Sequence, residues 1–146
     1  MATVFDVAKY ISDNLGDMTA MKLQKLCYYA QAWTLAWDEV QLFDEDFEAW
    51  ENGPVCPVLF EKHRKRLVIP AGFFDGYAGD ALSDVQRENI DIVLRDFGHF
   101  EPHELSSMTH RERPWRETRG NLPLGEPCNK TIPKELMRDY YSGLLD

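Results

Sequence analysis

The chain has 146 residues, 44% of them hydrophobic and 28% charged, which excludes a disordered or low-complexity protein and suits one domain with its own core. Its formal net charge of -9 argues against general nucleic-acid binding, which needs clustered Lys and Arg against phosphates, and makes a basic protein partner electrostatically natural. Three scattered cysteines, Cys27, Cys56 and Cys128, provide neither a disulfide framework nor a zinc ribbon.

Residues 1 to 10 mix acid and base without an apolar run, so no signal peptide is expected. No stretch approaches the roughly 20 apolar residues of a membrane span. The reading is a cytoplasmic protein with no membrane partner.

The first predicted helix runs from Thr3 to Leu15, with Val4, Val7, Ala8, Ile11 and Leu15 at helical spacing. Thr3 and Asp6 form a variant capping box, and Gly16 supplies the stop. A second helix starts at Thr19 as N-cap and continues to Trp37, with a stripe of Leu23, Leu26, Cys27, Ala30, Trp33, Thr34 and Trp37. Tyr28, Ala32 and Leu35 fall opposite that stripe. A helix apolar on two sides is read here as the centre of the domain.

Between Asp38 and Glu51 lie seven carboxylates and no Lys or Arg. The pattern breaks over Gln41 to Pro57, where Phe43, Phe47 and Trp50 alternate with acids and Asn52-Gly53-Pro54 marks a turn. A helix over Pro57 to Leu67 follows, carrying Lys62, His63, Arg64, Lys65 and Arg66 until Pro70 ends it. That basic cluster is expected to pair with the acidic segment.

Residues 70 to 82, with Gly72, Gly76 and Gly79, read as a loop anchored by Phe73, Phe74 and Tyr77, and as the most mobile part. Ser83 with Gln86 makes a capping box for a helix to Phe97, closed by Gly98. Pro102 opens a short helix through Met108 or Thr109, and residues 111 to 129 are expected to be irregular. A last helix spans Pro133 to Ser142 after a cap-like Thr131. The predicted fold is mainly α: a single compact domain over residues 1–146 with five or six helices and at most a small β-hairpin around 41–56.

The chemistry is sparse. His99 and His103 have the spacing of metal ligands on one helix face, but Pro102 lies between them, so no metal is expected. Cys27 reads as a core residue, and Cys56 and Cys128 lie beside prolines without an assignable base. No GxSxG, P-loop or GxGxxG occurs, so the chain is not read as an enzyme and no cofactor is expected. Arg111, Arg113, Arg116 and Arg119 flank Pro114-Trp115, the composition of a binding hot spot and equally of an internal ion-pair and cation–π bracket.

Taken in order, Thr19 to Trp33, Leu42-Phe43-Asp44-Glu45, Glu48-Ala49-Trp50, Gly53-Pro54-Val55, Leu105-Ser106 through Thr109-His110, Pro114-Trp115 and Ile132-Pro133 resemble the Panacea antitoxin domain, a family also described as GepA-like and SocA-like. The resemblance extends over nearly the whole chain. It implies a mainly helical antitoxin that neutralises a toxin by direct protein contact. The SocA-type branch further implies a proteolytic adaptor delivering a toxin to an AAA+ protease, a second reading, with an uncharacterised enzyme as a third.

The family pattern falls on Lys22, Leu23, Gln24, Lys25, Leu26, Tyr28, Tyr29, Gln31, Trp50, Gly53, Pro54, His110, Pro114 and Trp115. Leu23 and Leu26 are core by periodicity, and Gly53 and Pro54 are turn residues. The expected partner-binding set is Lys22, Gln24, Lys25, Tyr28, Gln31, Trp50, His110, Arg113 and Trp115. Buried internal hydrogen bonding is the competing role for its polar members.

Overall fold

A computed structural model describes residues 2–77 and 80–145. Local signals set most helices. α1 (Val4–Leu15) begins where the Thr3 amide donates to Asp6 Oδ2 at 2.8 Å, and α2 (Ala20–Asp38) where Thr19 Oγ1 accepts from the Lys22 amide at 3.1 Å. Between them, β1 (Met18–Thr19) pairs antiparallel with β4 (Val68–Ile69). β2 (Glu48–Trp50) and β3 (Gly53–Val55) form a hairpin in the register Ala49 opposite Pro54, and α3 (Pro57–His63) follows it.

α4 (Asp84–Phe97) is opened by the Ser83 and Gln86 capping box, α5 (Pro102–Arg111) starts at its proline, and α6 (Arg113–Arg119) and α7 (Lys134–Ser142) complete seven helices among the described residues. The mainly α expectation with a small hairpin holds. α2 is the central element, touching α1, α4, α5, α7 and β3. Leu23, Leu26, Cys27, Tyr28, Tyr29 and Ala32 along it are all buried, so both of its faces are core.

Four local expectations are corrected. The helix predicted to reach Leu67 ends at His63, because Lys65 takes a left-handed φ of 71° and the Leu67 carbonyl accepts the first free amide of α2, from Ala20, at 2.9 Å. The stretch 111 to 129 is not wholly irregular. Glu112 is extended, Pro114 sits in the first turn of α6 where its missing N–H costs nothing, and a helix follows.

The Lys62–Arg66 cluster does not pair with the acidic segment: Arg64 meets Glu61 at 3.1 Å, while Lys62 and Arg66 lie over the rings of Tyr77 and Phe73. The acids turn to other partners, such as Asp46 to Lys134 at 2.6 Å and Glu45 to the Val4 amide at 3.0 Å. Thr131 does not cap α7, whose N-cap is Pro133, but bridges to Glu48, so residues 130–132 line the outer edge of β2. In the 70 to 82 segment Phe74 and Leu82 are buried as anchors, and Gly79 lies outside the described residues.

Candidate functional site

The hairpin is the place where remote parts of the chain meet. Its carbonyls are claimed one after another: Ala49 by Arg119 Nη1 at 3.1 Å, Trp50 by Trp115 Nε1 at 2.8 Å, Asn52 by Ser106 Oγ, and Pro54 by Lys25 Nζ at 3.1 Å. α2, α5 and α6 therefore clamp one small ribbon, which alone would have marginal stability.

Two buried basic side chains take part, and neither is paired with a carboxylate. Arg119 is 3% exposed and spends its guanidinium on the carbonyls of Ala49, Pro123 and Glu126 while stacking over the Trp115 ring at 4.9 Å. The His110 ring stacks on Trp115 at 4.0 Å. Lys25 is 1% exposed, and burial pulls its pKa down to about 7. Burial also lowers the pKa of both His63 and His110, with the Lys25 charge adding to the effect on each.

The two glutamines of α2, seven residues apart, do the same job in two places. Gln24 accepts from the Cys56 amide at 2.8 Å and donates to the Cys56 carbonyl at 3.3 Å. Gln31 accepts from the Leu42 amide at 2.6 Å and donates to the Phe43 carbonyl at 2.7 Å. Each side-chain amide thus replaces a neighbouring strand for backbone that would otherwise be buried unpaired.

Tyr28 belongs to a third group. Its hydroxyl meets that of Tyr141 at 3.1 Å, and Tyr141 and Tyr29 both donate to Glu112 Oε1, at 2.7 and 2.8 Å. This network joins α2, α7 and the junction of α5 with α6. Burial raises the Glu112 pKa against the opposing effect of the two hydroxyls.

Of the expected partner-binding residues, the structure gathers Gln24, Lys25, Trp50, His110 and Trp115 around the hairpin. Tyr28 and Gln31 lie elsewhere on α2, in the contacts just described. Gln24, Lys25, Tyr28, Gln31 and Trp115 are buried, while Lys22, Trp50 and His110 are half-buried and Arg113 is exposed and paired with Glu117. Sequence reasoning missed the part that three residues play in these networks. Glu112 carries no local signal for its role as an acceptor of two remote hydroxyls; His63 was hidden in a basic run; and Arg119, placed by the sequence in a cation–π bracket with Trp115 that the structure shows, was not expected to hold the Ala49 carbonyl.

The profile of the antitoxin SocA-like, Panacea domain family matches residues 23–116. This chain belongs to that family. The match begins inside α2 and ends just past Trp115, so it encloses the hairpin and every side chain that clamps it except Arg119. No curated protein and no solved structure matches the chain.

The arrangement around the Panacea hairpin is built to hold backbone. Burial raises the Cys27 thiol well above its usual pKa and pushes Cys56 up to about 11, the reverse of what a nucleophilic thiol needs. No group of three or more potential metal ligands forms among the described residues, and no described helix is long and apolar enough to cross a membrane.

Proposed function

We propose that this Panacea domain is the antitoxin of a bacterial or phage toxin–antitoxin system and neutralises its toxin by direct contact between folded proteins. The observation that carries this reading is the family match over residues 23–116. Supporting it, Gln24, Lys25 and Gln31 of the family pattern on α2 are engaged with the domain's own backbone, an arrangement suited to presenting a fixed surface rather than to turnover.

Within the expected set, Lys22, Trp50, His110 and Arg113 keep surface in water and are the residues available to touch a toxin. Gln24, Lys25, Tyr28, Gln31 and Trp115 act on that surface through the segments they hold. A charge of -9 favours a basic toxin and makes association fast and salt-sensitive. The domain works in the cytoplasm as a protein-binding module, without cofactor, metal, nucleic acid or membrane.

Co-expression with the toxin encoded beside it tests the proposal: growth is rescued, and the purified pair co-elutes. The resemblance to the SocA-type branch implies one second reading, an adaptor that delivers the toxin to an AAA+ protease. Rescue that disappears in cells lacking AAA+ proteases, from a pair that does not co-elute, would establish the adaptor and reject sequestration.

A further inference from the structure

Lys25 Nζ has one hydrogen-bond partner, the Pro54 carbonyl, and burial with no opposing carboxylate accounts for its low pKa. An ammonium in this position retains unused donors, and a buried charge without a counter-ion is costly. Lys25 also lines a cavity of about 220 Å³ between α2, the hairpin and α3.

His63 lines the same cavity. The Cys56 amide donates to Gln24 Oε1, which orients the side-chain amide so that Gln24 Nε2 donates to His63 Nε2 at 2.9 Å. The hydrogen-bond network thereby assigns the His63 proton to Nδ1. That nitrogen is buried without a partner on a residue 4% exposed. The rings of Trp50 and Phe60, 5.0 Å apart and edge to face, form apolar walls. Arg64, Lys65 and Arg66 stand at the rim, and Glu51, an exposed residue, is the one carboxylate among the lining residues.

We propose that this cavity is a binding site for a single carboxylate group, held by Lys25 Nζ and His63 Nδ1 beside the packed Trp50 and Phe60 rings. Two donors match two carboxylate oxygens, and an ammonium–carboxylate contact is a strong, charge-assisted one. The volume is below the roughly 300 Å³ at which sites for whole drug-sized ligands begin, so the cavity takes a head group or one side chain. Entry of a carboxylate would also favour the charged form of Lys25. The site stands independently of the antitoxin reading.

The experiment is a titration of the full chain with benzoate, followed in two-dimensional amide spectra, with benzamide as the neutral isostere. Benzoate is expected to shift the Trp50 indole and the Gln24 and Val55 amides in a saturable way, and benzamide to leave them in place. Lys25→Met should abolish the response, and His63→Phe should weaken it several-fold. If neither variant folds, the benzoate and benzamide comparison decides alone. Equal shifts from the two compounds, no response to benzoate, or an undiminished response in folded Lys25→Met would overturn the site. A short peptide with a free C-terminal carboxylate, compared with its amidated form, separates the sources. Binding about tenfold tighter than benzoate identifies a carboxylate borne by a polypeptide, and weaker binding a small free acid.

Discussion

Gly53 and Lys25 are in mutual contact at the centre of the hairpin clamp: a Cβ built on Gly53 would lie 2.5 Å from Lys25 Cε and 2.9 Å from Thr109 Oγ1. The residue also adopts φ 118°, outside the range comfortable for a side chain. Two independent constraints thus require glycine where the ribbon crosses the buried lysine.

Gly53→Val is therefore expected to destabilise the domain by about 1–3 kcal/mol from backbone conformation alone, with the clash against Lys25 adding to it. Urea unfolding measures this directly. A variant with an unchanged midpoint would show that the hairpin relaxes freely, contrary to the packing described.

Lys25 should leave a signature in the pH dependence of stability. Its folded pKa is lowered from 10.5 to about 7, so between those values the unfolded chain holds the proton more tightly and stability rises with pH. Lys25→Met removes that contribution. Over pH 7 to 9 the wild type should gain on the variant by about 1.4 kcal/mol per pH unit, read from unfolding curves at several pH values. Parallel pH profiles for the two proteins would mean that Lys25 is charged in the fold.

What was legible in the sequence was local. Thr3, Thr19 and Ser83 announced their helices because a cap acts within three residues, and the two-sided apolar pattern of α2 announced a central helix. The α6 helix was missed because its proline was read as a breaker and its seven residues are too few to display a period. The clamp was harder still. Lys25 to Pro54, Trp115 to Trp50 and Arg119 to Ala49 link segments 29, 65 and 70 residues apart, and no spacing rule connects them. Buried internal hydrogen bonding, the competing role the sequence offered for the polar members of the expected set, is the one that Gln24, Lys25, Tyr28 and Gln31 take.

Glu112 gives a test of the tyrosine network. Its raised folded pKa means that the folded protein takes up the proton first as pH falls, so this group adds stability on acidification towards 4.5 and withdraws it above the folded pKa. Glu112→Gln keeps an acceptor for Tyr29 and Tyr141 and should cost less than about 1 kcal/mol at neutral pH while removing that pH-dependent component. Glu112→Ala strands both hydroxyls and should cost about 1–3 kcal/mol. Equal stability of the two variants would show that the hydroxyls find other acceptors.

The residues that hold the fold and those that meet a partner can be separated by pairing two substitutions. Tyr28→Ala empties a fully buried site and breaks the contact with Tyr141, so its loss of toxin rescue should come with a loss of stability of about 3–5 kcal/mol. Arg113 is exposed, and its pairing with Glu117 is a surface i,i+4 contact whose removal should cost no more than about 0.5 kcal/mol. Arg113→Ala is therefore expected to melt with the wild type and still weaken rescue when co-expressed with the neighbouring toxin. Because its fold is intact, that loss can be assigned to the interface. Full rescue by a stable Arg113→Ala protein would remove this residue from the contact surface and leave Lys22, Trp50 and His110 as the next positions to probe.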